Sequence, residues 1–269
     1  MNQDLNDYNL RFGGIGRLYG TKALIRLKNA KVLVVGLGGV GSWACEALIR
    51  SGIGHLTLVD LDEVCITNTN RQLCALQSTI GQSKAQVLKK RLQEINPEAS
   101  IELIENFFTE QTFEKILSKP YDYVLDAIDS RENKCLLISE ASKRNLPIIT
   151  TGGAAGKIDP TQIKIDDLAF STNDVLLQIV RKKLRRDYNF TKVLGRTLNS
   201  RRKLGIACVF SPEEPRFPSA SGEVCHTPDP ETNLKLDCES GMGSSTYITG
   251  TFGFFAASHI VKEIAQKSE

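Results

Sequence analysis

The first sustained pattern along the chain begins at Lys31. Residues 32–35 form an unbroken apolar run, as expected of a strand buried on both faces of a parallel sheet. A glycine-rich stretch, a helical pattern and a second apolar strand ending at Asp60 follow without a spacer. The alternation then repeats: helix 84–95, strand 101–105, helix 110–117, strand 121–126, helix 131–144 and strand 147–150. Strands and helices in strict alternation predict a parallel sheet covered by helices on both faces. Apolar–polar alternation over 162–165 predicts that antiparallel strands continue the sheet. Beyond it, 175–188 reads as an amphipathic helix with Val175, Leu176, Ile179, Val180 and Leu184 on one stripe, and 204–210 as a short strand. Residues 211–230 hold five of the nine prolines and predict irregular loop. The run 242–261 carries Ser244, Ser245, Thr246, Thr249, Thr251, Ser258 and His259, too polar for a lipid span, so a core helix is expected. Ahead of Lys31, 22–27 is helical in pattern. RFGGIGRLYG (11–20), with two arginines and four glycines, predicts either a glycine-loosened arm or an arginine delivered to an anion. The fold class is α/β: a Rossmann-like, doubly wound, mainly parallel sheet with a basic C-terminal extension. Residues 1–170 would form the nucleotide-binding domain, and 171–269 would pack on it.

Charge changes this picture in one place. The net charge of +3 conceals a segment, 181–203, with ten basic residues against the single acid Asp187, which leaves the rest of the chain at −6. Such a segment predicts a polyanionic partner whose affinity weakens with salt. Its aromatics are Tyr188 and Phe190 alone, so base stacking is not the expected mode. The first ten residues lack the basic start and apolar core of a secretory signal. Seven scattered cysteines suit a reducing compartment, and a cytoplasmic location is expected.

The candidate chemistry starts at the glycine stretch. Gly36, Gly38 and Gly41 satisfy G-x-G-x-x-G, with Gly39 inside it, and the motif sits after a strand and before a helix. Glycines there let the backbone approach a phosphate, and the helix points its N–H groups and positive dipole end at it. Asp60, 19 residues past Gly41, is placed to accept hydrogen bonds from ribose hydroxyls. Beyond Asp60 the chain departs from a dehydrogenase. Asp62 and Glu63 lead into Asn68, Asn70, Arg71 and Gln72, and Lys84 stands directly after a candidate N-cap, Ser83. Cations beside a nucleotide neutralise charge as pyrophosphate leaves. A lysine in the first turn of a helix either faces solvent or awaits a phosphate. Asp126 and Asp129 fall at the carboxyl end of a strand, where paired acids are natural Mg²⁺ ligands or, alternatively, helix caps. Cys238 precedes an expected helix N-terminus that would lower its pKa, which makes it a candidate reactive thiol, and Cys225 is a second candidate. The spacing of Cys208, Cys225 and Cys238 does not suit a four-thiolate zinc site.

Together these residues resemble the superfamily of ubiquitin-activating enzymes and their bacterial HesA, MoeB and ThiF relatives, which adenylate a carboxylate with ATP. The match spans about 11–170 and rests on VVGLGGVGS, LVDLDEV, Asn68 with Asn70-Arg71-Gln72, IGQSK and DAIDS. The resemblance implies ATP and Mg²⁺ as ligands. Asp60 would hold the ribose, and Asn68, Arg71 and Lys84 would contact phosphates. Gln72 would shape the site, and Asp129 would bind the metal. It implies a homodimer in which an arm arginine enters the partner's site. Gly14 stands where that arginine often lies, which leaves Arg11 and Arg17. Two departures select a branch: the C-x-x-C pairs of the sulfur-carrier adenylyltransferases do not occur, and a basic segment comes after residue 170. With RFGGIGRLYG, TGGAAGKIDPTQI, DCESGMGS and TGTFGF, the chain resembles the branch that dehydrates threonylcarbamoyladenosine beside the anticodon of tRNA. The resemblance then implies an ATP-dependent ligase-type reaction, with tRNA gripped by Arg181, Lys182, Arg185, Arg186, Arg201 and Arg202. It leaves open a cysteine-desulfurase-linked sulfur-transfer protein as a further partner. Three other readings stand beside it: an adenylyltransferase for a ubiquitin-like sulfur carrier, a dinucleotide oxidoreductase, and a non-catalytic RNA-binding protein.

Overall fold

Strand β1 (Lys31–Val35) lies between two hydrophobic cores. Val32 and Val34 pack into one and Leu33 and Val35 into the other, as the two-residue period of a strand requires. The computed structural model describes residues 3–190, 203–229 and 242–267; Arg201, Arg202 and Cys238 lie outside them. Parallel to β1 run β2 (His55–Val59) on one side and β4 (Tyr123–Asp126) on the other. β3 (Ser100–Ile104) joins β2, and β5 (Ile148–Thr151) joins β4. The sheet has seven strands in the order β3-β2-β1-β4-β5-β7-β6. Strand order therefore reverses between β1 and β4, and a crevice opens outside their carboxyl ends.

The far edge carries the expected antiparallel pairing, made by its last two strands. β7 (Ala207–Phe210) is parallel to β5, and only the edge strand β6 (Lys164–Asp167) is antiparallel, pairing with β7. Helix α7 (Val175–Asp187) lies between β6 and β7 in the chain, and a helical crossover is what returns a chain parallel to an earlier strand. The proline-rich stretch is not wholly irregular, since β8 (Phe217–Pro218) and β9 (Val224–Cys225) pair as a small antiparallel ladder.

Helices α3 (Gly39–Arg50), α4 (Lys84–Ile95) and α8 (Thr246–Gln266) cover one face of the sheet. The short α5 (Phe113–Ile116), α6 (Arg131–Lys143) and α7 cover the other. α8 is the core helix expected from 242–261, and no helix among the described residues is long and apolar enough to cross a membrane. It lies directly on α3 at Gly253, where a β-carbon would come 2.6 Å from the Val40 carbonyl.

The expected loose arm is helix. α1 (Gln3–Tyr19) continues through Gly13, Gly14 and Gly16, although each glycine costs about 1 kcal/mol relative to alanine in a helix. Tyr8 and Phe12, one turn apart, bury against Leu24 of α2 (Thr21–Asn29), and the Tyr8 hydroxyl donates to the Gly52 carbonyl at 2.6 Å. Tertiary burial overrides propensity here.

Candidate active site

The glycine loop closes on itself and on the end of β4. A β-carbon at Gly41 would stand 1.8 Å from the Gly36 carbonyl. Gly36 has φ +91°, and a β-carbon there would meet the Ala127 carbonyl at 2.6 Å. The loop is thus seated against the DAIDS segment, and it leads directly into the N-terminus of α3. Asp60, just past β2, is half-buried: one oxygen accepts from the Leu37 N–H at 2.6 Å and the other from the Asp62 N–H at 2.8 Å. Burial raises its carboxyl above the usual range, against the opposing pull of those two N–H groups and of Lys84.

Lys84 does not face solvent. It is 6% exposed, and its ammonium bonds the Asp62 carboxylate at 2.9 Å. Ser83 caps α4 as expected, accepting from the Gln86 N–H. In the segment between β2 and α4, Asn68 is buried and its side-chain oxygen accepts from the Cys65 N–H at 3.0 Å. The Asn68 carbonyl accepts from the N–H groups of Arg71 and Gln72 at 3.0 and 2.9 Å, so Asn68 folds the turn that presents both side chains. The Gln72 amide nitrogen lies 3.8 Å from where a Gly38 β-carbon would be, and the Arg71 stem lies against Gly39. The Arg71 guanidinium donates to the Thr67 carbonyl at 2.7 Å and the Asn70 side-chain oxygen at 3.1 Å, both neutral acceptors. Glycine loop, Asp60, Asp62, Asn68, Arg71, Gln72 and Lys84 are therefore one constellation.

Two expectations need correction, those for Asp126 and Arg181. Asp126 is fully buried, not a ligand facing the crevice. Its carboxylate accepts from the Lys134 ammonium at 2.8 Å, from the Thr150 hydroxyl at 2.6 Å and from the Ile128 N–H at 3.0 Å, which leaves it a structural group beneath the site. Asp129, by contrast, is exposed at the mouth, two residues past Ala127. No cluster of three or more His, Cys, Asp or Glu suited to a metal occurs among the described residues. Arg181 is half-buried and its guanidinium donates to the carbonyl and hydroxyl of Ser171, so it fastens α7 rather than facing a polyanion. Burial also lowers its pKa, with Arg185 adding to the effect. Arg186 forms a two-point pair with Asp187, while Lys182 and Arg185 are exposed. Arg17 is exposed near the end of α1 with its guanidinium beside Gly13 and Gly14 of its own helix; within one chain it is not brought to the glycine loop.

Other residues around the crevice carried no local signal in the sequence. The Arg71 carbonyl accepts from Trp43 Nε1 and from the Thr249 hydroxyl, each at 3.1 Å. At the exit of β5, Asp174 caps α7 through the Leu177 N–H and also accepts from the Gly153 N–H, both at 2.9 Å. A β-carbon at Gly152 would stand 2.1 Å from the Asp174 carboxylate, which explains the glycine. Lys157, also buried, donates to the carbonyls of Asn173 and Glu213. Each joins segments far apart in the chain, which only the fold can reveal.

Comparison with known proteins agrees with this geometry. The ThiF family model matches residues 14–269. The chain is 46% identical over 259 residues to the tRNA threonylcarbamoyladenosine dehydratase of Escherichia coli (strain K12), covering 96% of this chain and 94% of that one. Against the protein of the same name from Haemophilus influenzae the identity is 45% over 263 residues, 98% of this chain and 96% of the relative. The crystal structure of the E. coli dehydratase in complex with ATP superposes with a TM-score of 0.81 at 43% identity, over 95% of this chain and 94% of that chain. The chain belongs to the ThiF family, in the branch that it shares with the tRNA threonylcarbamoyladenosine dehydratases.

Proposed function

We propose that this protein uses ATP to cyclise threonylcarbamoyladenosine in tRNA, with loss of water, by activating the free carboxylate of that side chain. The observation that carries the reading is the joining of Asp60, Arg71 and Lys84 around the glycine loop in a chain alike over its whole length to dehydratases, one of them solved with ATP. The loop N–H groups and the α3 N-terminus would cradle phosphates, and Asp60 would accept from the ribose. A carboxylate oxygen of the substrate attacks the α-phosphorus, the bond to pyrophosphate breaks, and an acyl-adenylate forms. A nucleophile of the same side chain then attacks the acyl carbon and AMP leaves. Arg71 and Lys84 would neutralise charge on the α-phosphate and on the departing pyrophosphate. The protein's contribution is positioning and charge stabilisation, with no covalent enzyme intermediate.

Mg²⁺ fits the residues present. Asp129 is a single exposed carboxylate at the mouth, and Mg²⁺ is commonly held by one or two carboxylates together with phosphate oxygens. Asp129 would hold it, and the ion would offset phosphate charge. Leu10, Leu18 and Ile25 leave an apolar face exposed on α1 and α2, and a second copy covering it would carry Arg17 toward the partner's nucleotide. Lys182 and Arg185, with Arg201 and Arg202, would contact the RNA backbone. The enzyme would work in the cytoplasm as a homodimer.

The test is incubation with ATP and tRNA bearing threonylcarbamoyladenosine. AMP should accumulate together with a nucleoside lighter by one water; unchanged nucleoside and no AMP would sink the proposal.

A further inference from the structure

The Asn70–Arg71 step is held from outside its own loop. Thr249 of α8, 178 residues further along the chain, places its hydroxyl 3.1 Å from the Arg71 carbonyl, nearer than the Ser245 and Thr246 carbonyls of its own helix at 3.2 and 3.3 Å. Trp43 of α3 donates Nε1 to the Arg71 carbonyl at 3.1 Å. Thr246 donates its hydroxyl to the Asn70 carbonyl, and the Asn70 amide donates back to the Ser244 carbonyl at 2.8 Å. Thr249 is 3% exposed, and its methyl faces the glycine loop. A β-carbon at Gly39 would stand 3.0 Å from that methyl and 3.5 Å from Arg71 Cγ. One buried threonine therefore touches both the phosphate-binding loop and the backbone of the arginine assigned to the phosphates.

We propose that Thr249 is a positioning residue for the nucleotide site, setting the register between Arg71 and the glycine loop. Two donors on the Arg71 carbonyl fix the direction in which its side chain leaves the backbone. Among the described residues the guanidinium itself rests only on the neutral oxygens of Thr67 and Asn70. A phosphate outcompetes such acceptors, because it adds a full negative charge opposite the guanidinium and can accept two parallel N–H bonds from it. The backbone is thus rigid and the charged end exchangeable, which suits a residue that must meet a developing charge. The first turns of the C-terminal helix would complete a site whose signature lies wholly in the first half of the chain. The proposal rests on the assignment of Arg71 to the ATP phosphates.

The test uses the full chain and measures AMP formation with ATP varied. Thr249→Val keeps the shape and removes the hydroxyl, and it should lower kcat/KM for ATP roughly tenfold with the melting temperature unchanged. Thr249→Ser, which restores the donor, should recover most of the loss. The deciding arm is a double-mutant cycle with Arg71→Ala: once the guanidinium is gone, Thr249→Val should change nothing further. A Thr249→Val enzyme as active as the parent, or one losing the same factor with and without Arg71, overturns the proposal. If Arg71→Ala alone leaves ATP turnover intact, the phosphate role of Arg71 fails and the proposal falls with it. Should Thr249→Val melt early, Trp43→Phe removes the other donor on the same carbonyl, and the same non-additivity is expected.

Discussion

Asp126 and Asp129 are three residues apart and chemically identical, yet one is sealed and the other open. Lys134 and Asp126 are both 0% exposed and bonded at 2.8 Å. Removing one partner of such a pair strands a buried charge, so Lys134→Met should destabilise the protein by about 3–5 kcal/mol, read as a shift in urea midpoint. Asp129→Asn should leave that midpoint in place and depress AMP formation instead. Equal destabilisation by both would show that the two carboxylates are not divided between structure and chemistry. A second residue-scale prediction concerns pH. Burial holds His259 below its ordinary value, Lys262 acts the same way, and Glu263 opposes them; the ring also bonds the Tyr123 hydroxyl at 2.9 Å. The folded state then binds fewer protons than the unfolded one just below the ordinary histidine pKa. Stability should therefore be full above that value and fall as pH drops through the window beneath it. His259→Gln should flatten that part of a stability–pH curve, and an unchanged slope would refute it. Neither difference was legible in sequence. The strand end at 126 was, but the lysine that seals Asp126 sits eight positions on, in a helix whose facing only packing decides.

Among the elements, the alternating strands and helices from β1 to β5 were readable because parallel strands buried on both faces are continuous apolar runs. The same holds for the glycine loop, whose motif lies within ten residues of its strand. α1 was not readable, since its glycines argue against helix and only the burial of Tyr8 and Phe12 tips the balance toward it. The parallel course of β7 was hidden as well, because its paired positions on β5 lie 58 residues away. The same distance effect concealed how α8 meets the site. Its approach to α3 depends on Gly253, where a β-carbon would press on the backbone at Val40 and Ala44 at 2.6 and 2.8 Å. Gly250, one turn earlier, would meet only the Trp43 ring at 3.8 Å, an ordinary contact. Gly253→Ala should lift α8 from α3, cost about 1–3 kcal/mol and weaken ATP binding through the Arg71 seat. Gly250→Ala should be tolerated. Calorimetric ATP titration of both variants beside their melting curves checks this; equal tolerance would mean that α8 is free to adjust.

Over the whole molecule, the basic segment is smaller in effect than its count suggests. Ten cations against one acid pointed to a polyanion, but folding consumes part of that charge. Arg181 is turned inward onto Ser171, Lys183 lies 3.5 Å from Glu132, and Arg186 is paired with Asp187. Among the described residues of α7, Lys182 and Arg185 are the cations exposed without such a pair. A cation that contacts a phosphate contributes about 0.9 to the slope of log affinity against log salt, whereas one engaged within the protein contributes little. Lys182→Ala and Arg185→Ala should each weaken binding to the tRNA substrate and reduce that slope by about one unit. Arg181→Ala should leave the slope unchanged and instead lower stability, because the bonds fastening α7 to Ser171 are lost. A common loss of slope across all three variants would mean that α7 reorganises on RNA and that its internal pairs open. A slope that none of them alters would move the RNA contact off this helix, leaving Arg201 and Arg202 to be tested in the same way.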